Sequence, residues 1–121
     1  MIKNIKFVSV PTRDPRRAVA FWTQKFGFTV ASDQPFDDSQ RWIELRIPGA
    51  DTRLVLFKPP DTERRVGEFM RLAFTADNLE RTYEDLKAKG VEFAGPVERA
   101  DWGASAVFKD SEGNSFVLSS L

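Results

Sequence analysis

The chain runs through one pattern twice, and that repetition narrows the folds open to it more than any single motif does. In each half a strand-like stretch leads to an acidic residue, an amphipathic run and a glycine thirteen positions on: Asp14 to Gly27, then Asp77 to Gly90. Asp at a helix start accepts hydrogen bonds from the unpaired first-turn amides, and Gly closes a helix in the left-handed conformation. Three short strand-like segments follow each helix. Side-chain identity between the halves is low, so the repeat is one of pattern. A β-α-β-β-β order met twice sets the architecture before any residue has a role.

In the first half, residues 3–10 alternate, with Ile5, Phe7 and Ser9 on one side and Lys6, Val8 and Val10 on the other. Asp14-Pro15 opens a helix, because Pro suits the first helical position. Ala18, Phe21, Trp22 and Phe26 give that helix one apolar face. Residues 28–33 read as a strand and 34–40 as a polar loop. Residues 41–47 alternate cleanly: Trp42, Glu44 and Arg46 on one face, Ile43, Leu45 and Ile47 on the other. After the Pro48–Asp51 turn, residues 52–58 form the next strand. Residues 59–68 are polar and rich in breakers, which predicts a linker with Arg64 and Arg65 solvated.

In the second half, residues 69–76 read as a strand. Asp77-Asn78-Leu79-Glu80 reads as a capping box, and Leu79, Tyr83 and Leu86 form a helical stripe that ends at Gly90. Residues 91–93 form a short strand and Gly95-Pro96 a turn. Residues 104–109 and 116–118 form a hairpin about Asp110–Asn114, where Asp bonds its own backbone and Gly and Asn accept positive φ. Asp110 and Asn114 are turn residues and not a catalytic pair. The fold expected is α+β: one domain over 1–121, with modules 1–58 and 69–121 joined by linker 59–68. Each module forms a curved four-stranded sheet with a helix on its outer face, and the sheets enclose a cleft. The helix-facing pairs expected are Val8/Val10, Ile43/Leu45, Val55/Phe57, Leu72/Phe74 and Phe116/Leu118. The cleft-facing set is Phe7, Ser9, Trp42, Glu44, Arg46, Leu54, Leu56, Arg71, Ala73 and Val117, with Phe108 also placed inward.

Composition removes several classes of function. The 18 basic and 18 acidic residues cancel, so no overall field favours nucleic acid or an anionic membrane. No apolar run is long enough for a membrane span, and the first residues do not read as a secretion signal, so the expected location is the cytoplasm. There is no cysteine, which excludes disulfides and thiolate chemistry. There is also no histidine, which removes the commonest metal ligand and general base.

Asp14, Ala20-Phe21-Trp22 and Phe26-Gly27-Phe28, then Asp77 with Leu86-Lys-Ala-Lys-Gly90-Val91, then Phe108-Lys-Asp110-Ser-Glu-Gly113-Asn114-Ser-Phe116, follow one another at a characteristic spacing. In this order the chain resembles the vicinal oxygen chelate superfamily, which includes glyoxalase, bleomycin-resistance and ring-cleaving dioxygenase proteins. Ser111 stands where the family's last turn commonly has Pro. The resemblance implies up to four metal ligands, His or Glu, from the first and last strands of the two units. Those positions fall here on Phe7, Leu56, Arg71 and Val117, none of which binds a divalent cation. No metal and no cofactor are therefore expected.

The cleft then reads as a pocket with apolar walls (Phe7, Leu54, Leu56, Val117, Trp42, with Trp102 and Phe108) and few polar groups (Ser9, Glu44, Arg46, Arg71). Arg71 meets either a ligand carboxylate or phosphate, or Glu44. Trp42 and Trp102 either stack on a planar ligand or plug the cleft or a subunit contact. Glu44 is the one inward carboxylate available as a general base. Three functions follow. The first is a metal-free protein that binds a small anionic or aromatic molecule. The second is a lyase, isomerase or dioxygenase with an unusual site. The third is a regulatory or interaction module with a filled cleft. The superfamily's habit implies a homodimer.

Overall fold

The computed structural model describes residues 1–37, 40–58 and 62–121. They form two units, Met1–Val66 and Gly67–Leu121. The first contains β1 (Phe7–Pro11), α1 (Pro15–Phe26), β2 (Thr29–Asp37), β3 (Gln40–Arg46), β4 (Arg53–Phe57) and the short α2 (Thr62–Arg65). The second contains β5 (Phe69–Ala76), α3 (Leu79–Ala88), β6 (Glu92–Phe93), β7 (Glu98–Ala100), β8 (Gly103–Lys109) and β9 (Ser115–Ser120).

The first sheet has the order β1-β4-β3-β2, with β1 parallel to β4 and the other pairs antiparallel. The second has the order β5-β9-β8-β6, with β5 parallel to β9 and β7 paired to β8. The strand order is thus the same in both units, as the repeated pattern predicts, apart from β7, which the sequence reading did not contain. The first strand starts at Phe7 rather than residue 3, and Ile5 is exposed. Strand β2 continues to Asp37 through most of the expected loop, while Asp38 and Ser39 lie outside the described residues. The expected linker contains α2. Its Arg64 and Arg65 are exposed, and Pro59, Pro60 and Asp61 lie outside the described residues.

Helix α1 follows its sequence signals closely. Asp14 accepts from the Arg17 amide, Pro15 is the first residue, and Gly27 closes it at φ 75°. Trp22 is fully buried and stacks on Phe28 at 5.6 Å, so the helix is seated by aromatic burial. Helix α3 corrects one expectation. Its cap is Asn78, which accepts from the Arg81 amide, and not Asp77, which is exposed. Asn and Asp cap about equally well, and here the chain enters the helix one residue later.

Register decides which side chains share a face. Ile43 stands opposite Leu56, and Leu45 opposite Leu54; Val8 and Val10 lie beside Leu54 and Leu56. Val10, Ile43, Leu45, Leu54 and Leu56 are each at most 3% exposed and form the core against which α1 packs. Each such side chain contributes roughly 1.5–3 kcal/mol by burial. The expected parity of β4 is therefore reversed. Leu54 and Leu56 belong to the helix side, and Arg53, Val55 and Phe57 to the opposite one.

In the second unit, Phe116 and Leu118 stand opposite Phe108 and Ala106. Phe108 is fully buried, 5.4 Å from Phe116 and 6.2 Å from Phe93, which in turn lies 4.5 Å from Tyr83 of α3. Phe108 is thus a core residue on the helix side, contrary to its inward placement. The pairing through Phe116 and Ala106 allows no other parity, because residues opposite in a ladder share a face. The 110–114 turn is built as expected. Asp110 Oδ1 accepts the Glu112 and Asn114 amides, and Asp110 Oδ2 accepts from Asn114 Nδ2. Asn114 Oδ1 in turn accepts the Gly67 amide at 2.8 Å, tying the turn to the start of the unit.

Candidate functional site

The helix-free face of the first sheet is where chemistry-bearing side chains converge. The register places Phe7, Ser9 and Pro11 beside Arg53, Val55 and Phe57, and these opposite Arg46, Glu44 and Trp42. Three aromatic rings meet on this face. Trp42 lies 5.2 Å from Phe7 in an edge-on arrangement and 5.3 Å from Phe57. Phe7 remains 37% exposed. Edge-on and tilted contacts are the geometries favoured by the ring quadrupole.

Next to this aromatic corner stands Glu44, whose side chain is 17% exposed. Both its oxygens are engaged. Oε2 accepts the Trp42 indole Nε1–H at 2.9 Å, and Oε1 pairs with Arg53 Nη1 at 3.1 Å. The indole hydrogen bond first, and the Arg53 guanidinium after it, hold the Glu44 carboxyl below the usual glutamate range against the opposing effect of burial. A carboxylate with both oxygens bonded and a lowered pKa is ill suited to take a proton near neutral pH. Its evident role is to fix the ring plane of Trp42. Arg53 is the residue that reading the sequence missed. The available signal was the polar face of β3: Trp42, Glu44 and Arg46 call for a charged partner across the ladder, and only the Arg53 parity of β4 supplies one.

The remaining expected site residues separate. Leu56 is 1% exposed and lies on the helix side, so it lines no site. Arg46 is exposed on the face of Glu44. Val117 is half-buried on the helix-free face of the second sheet, between Ala73 and Val107. Arg71 is exposed and takes φ 58°, the one non-glycine at positive φ among the described residues. It lies where four residues of β5 span two of β9, between the Phe69–Ser115 and Ala73–Val117 pairs, so a bulge aims its side chain. Trp102 is 66% exposed. It borders an open groove of about 470 Å³ within the second unit, lined also by Asn78, Leu79, Arg99 and Ser120, across which Arg99 pairs with Glu80.

The metal positions implied by the resemblance do not fit a cation. Phe7 is a ring packed on Trp42, the β4 side chains on the helix-free face next to Leu56 are Val55 and Phe57, Arg71 is itself cationic, and Val117 is aliphatic. Among the described residues no group of three or more His, Cys, Asp or Glu side chains stands together. No described helix is long and apolar enough to cross a membrane.

Two units of β-α-β-β-β order, the second with β7 added, each a mixed sheet carrying a helix, define an α+β class of repeated modules. Within that class, the chain belongs to the Glyoxalase/Bleomycin resistance protein/Dioxygenase superfamily, whose family model matches residues 4–118. It is 39% identical over 120 residues to the protein YetH of Bacillus subtilis (strain 168), covering 98% of each chain. Its structure is similar to TnmS3, an antibiotic binding protein from Streptomyces sp. CB03234, with a TM-score of 0.86 and 32% identity over 98% of this chain and 96% of that one. A superfamily member from Sphaerobacter thermophilus DSM 20745 shares the fold with a TM-score of 0.90 at 24% identity, over 99% of this chain and 98% of that one.

Proposed function

We propose that this chain is a metal-free, small-molecule-binding member of its superfamily, and that its ligand rests on the helix-free face of the first sheet. The observation that carries this reading is the aromatic corner of Phe7, Trp42 and Phe57, with the indole held by Glu44 and Glu44 held by Arg53. A large aromatic surface kept at fixed orientation loses little entropy when a planar molecule stacks on it. The likeness to an antibiotic binding protein supports the same reading. The engagement of both Glu44 oxygens favours binding over proton-transfer catalysis. The absence of His and Cys from the chain removes the strongest metal donors.

The test is a thermal-shift and calorimetric screen of planar aromatic compounds, antibiotics included, against the purified chain and its Trp42→Ala variant. Binding by the parent that weakens about tenfold or more in the variant is expected, since stacking on an indole contributes on the order of 1 kcal/mol or more. A screen with no binder, or binders indifferent to Trp42, would sink the proposal.

A further inference from the structure

We infer that the ligand of this face is a planar aromatic molecule bearing an anionic group, with Arg46 as the residue that meets the anion. The inference rests on the binding reading above and adds the charge of the ligand. Register places Arg46 directly opposite Arg53 on one face, so two guanidinium-bearing side chains are cross-strand neighbours. Like charges in that position repel, and an anion placed between them relieves the repulsion.

The face provides one such anion. Glu44 is two residues from Arg46 along β3, and its Oε1 pairs with Arg53. Beside Arg46 the neighbouring strands add none among the described residues; the further carboxylate of this face, Asp37, stands opposite Gln40, six residues along β3 from Arg46. Strand β2 places Thr29, Ser32 and Gln34 opposite Arg46, Glu44 and Trp42, and β1 contributes Phe7, Ser9 and Pro11. Lys6, the residue before β1, acts on Glu44 as a further positive charge. Asp33 and Arg41, which pair with each other, belong to the opposite parity of their strands. Around Arg46 the charges are thus two arginines against Glu44, with Asp37 at the far end of the face, and Arg46 makes no ion pair among the described residues. The uncompensated guanidinium lies four residues along β3 from Trp42, on the same side. At about 3.4 Å per residue that is roughly 14 Å between backbone positions. The reach of the arginine side chain shortens this to the length of a fused-ring acid. A guanidinium binds carboxylate or sulfonate oxygens through two parallel N–H donors, which fixes orientation as well as charge. The same surplus of positive charge repels a cationic ligand.

The experiment uses three probes of one shape: naphthalene-2-carboxylate, naphthalene-2-methanol and naphthalene-2-methylammonium. Each is titrated calorimetrically into the full chain, at low and at raised salt. The carboxylate is expected to bind about tenfold or more tightly than the ammonium, with the alcohol between them and the carboxylate's advantage shrinking in salt. Arg46→Met, at an exposed position, should bring the carboxylate down to the alcohol's affinity, and Arg46→Lys should restore part of the difference. Ammonium binding as tight as carboxylate binding, or a carboxylate preference that survives Arg46→Met, overturns this inference and leaves the binding reading standing. If none of the three probes binds, this inference falls, and the binding reading is decided by the wider screen.

Discussion

The indole Nε1–H of Trp42 donates to Glu44 Oε2 at 2.9 Å, although the two side chains belong to the same strand face and stand only two residues apart. A hydrogen bond along one face of a single strand joins an aromatic platform to a charge, and Arg53 on the next strand completes it at 3.1 Å. Orientation of the ring and ionisation of the carboxyl are thereby one property of the first sheet.

That coupling sets a pH dependence. The folded-state pKa of Glu44 is depressed, so the stabilisation it brings is complete above the ordinary glutamate value of about 4.3 and is lost as pH falls through the folded value. Asp110 acts in the opposite sense. Burial raises its pKa, so acidification through its folded value adds stability. Urea midpoints recorded between about pH 6 and pH 3 should fall less steeply in Glu44→Gln than in the parent chain. Parallel curves would show that the Glu44 carboxylate does not contribute as the geometry requires.

The parity of β4 is open to direct measurement. Leu56→Ala removes a side chain that is 1% exposed beneath α1, and should cost about 2–5 kcal/mol in denaturant unfolding. A loss under about 0.5 kcal/mol, the range of surface substitutions, would argue against Leu56 in the core beneath α1.

The cap of α3 separates two neighbouring residues. Asn78→Ala should lower stability by about 1 kcal/mol, because it leaves the Arg81 amide without its side-chain acceptor. Asp77→Ala should stay within about 0.5 kcal/mol. Equal losses would mean that both residues cap the helix.

Arg71 holds a backbone conformation that suits glycine. At φ 58° a side chain with a Cβ is strained by about 1–2 kcal/mol. Arg71→Gly should therefore leave stability within about 0.5 kcal/mol of the parent, since relief of strain offsets the greater freedom of the unfolded chain. Arg71→Val, β-branched, should lose about 1–2 kcal/mol by thermal unfolding. A pair of variants with the same stability would argue against the bulge.

The extent to which the fold was legible differs by element, and the difference has a cause. Helix α1 could be read to the residue because Asp14, Pro15 and Gly27 act locally, each on amides or dihedrals within one turn. Strand β3 could be read face by face because its residues alternate in polarity. Strand β4 could not. Leu54, Val55, Leu56 and Phe57 are all apolar, and a run without alternation carries no mark of which side is which. The same holds for Ala106, Val107 and Phe108 in β8. Errors in these two strands placed Leu56 and Phe108 wrongly and hid Arg53. The shift of the α3 cap from Asp77 to Asn78 is of another kind, since two adjacent residues both suit the position.

Sequence alone determined the double β-α-β-β-β order, the ends of the first helix, the hairpin turn at Asp110–Asn114 and the lack of His and Cys. These depend on contacts within a few residues or on composition, and such information lies in the order of the side chains. Tertiary structure alone decided the pairing of Ile43 with Leu56, of Arg46 with Arg53 and of Phe108 with Phe116. A ladder's register is chosen by the packing of whole faces between segments distant in the chain, and sliding one residue turns every side chain to the other side. The aromatic corner and its charged neighbours follow from that choice, so the candidate site became visible only once the strands were paired.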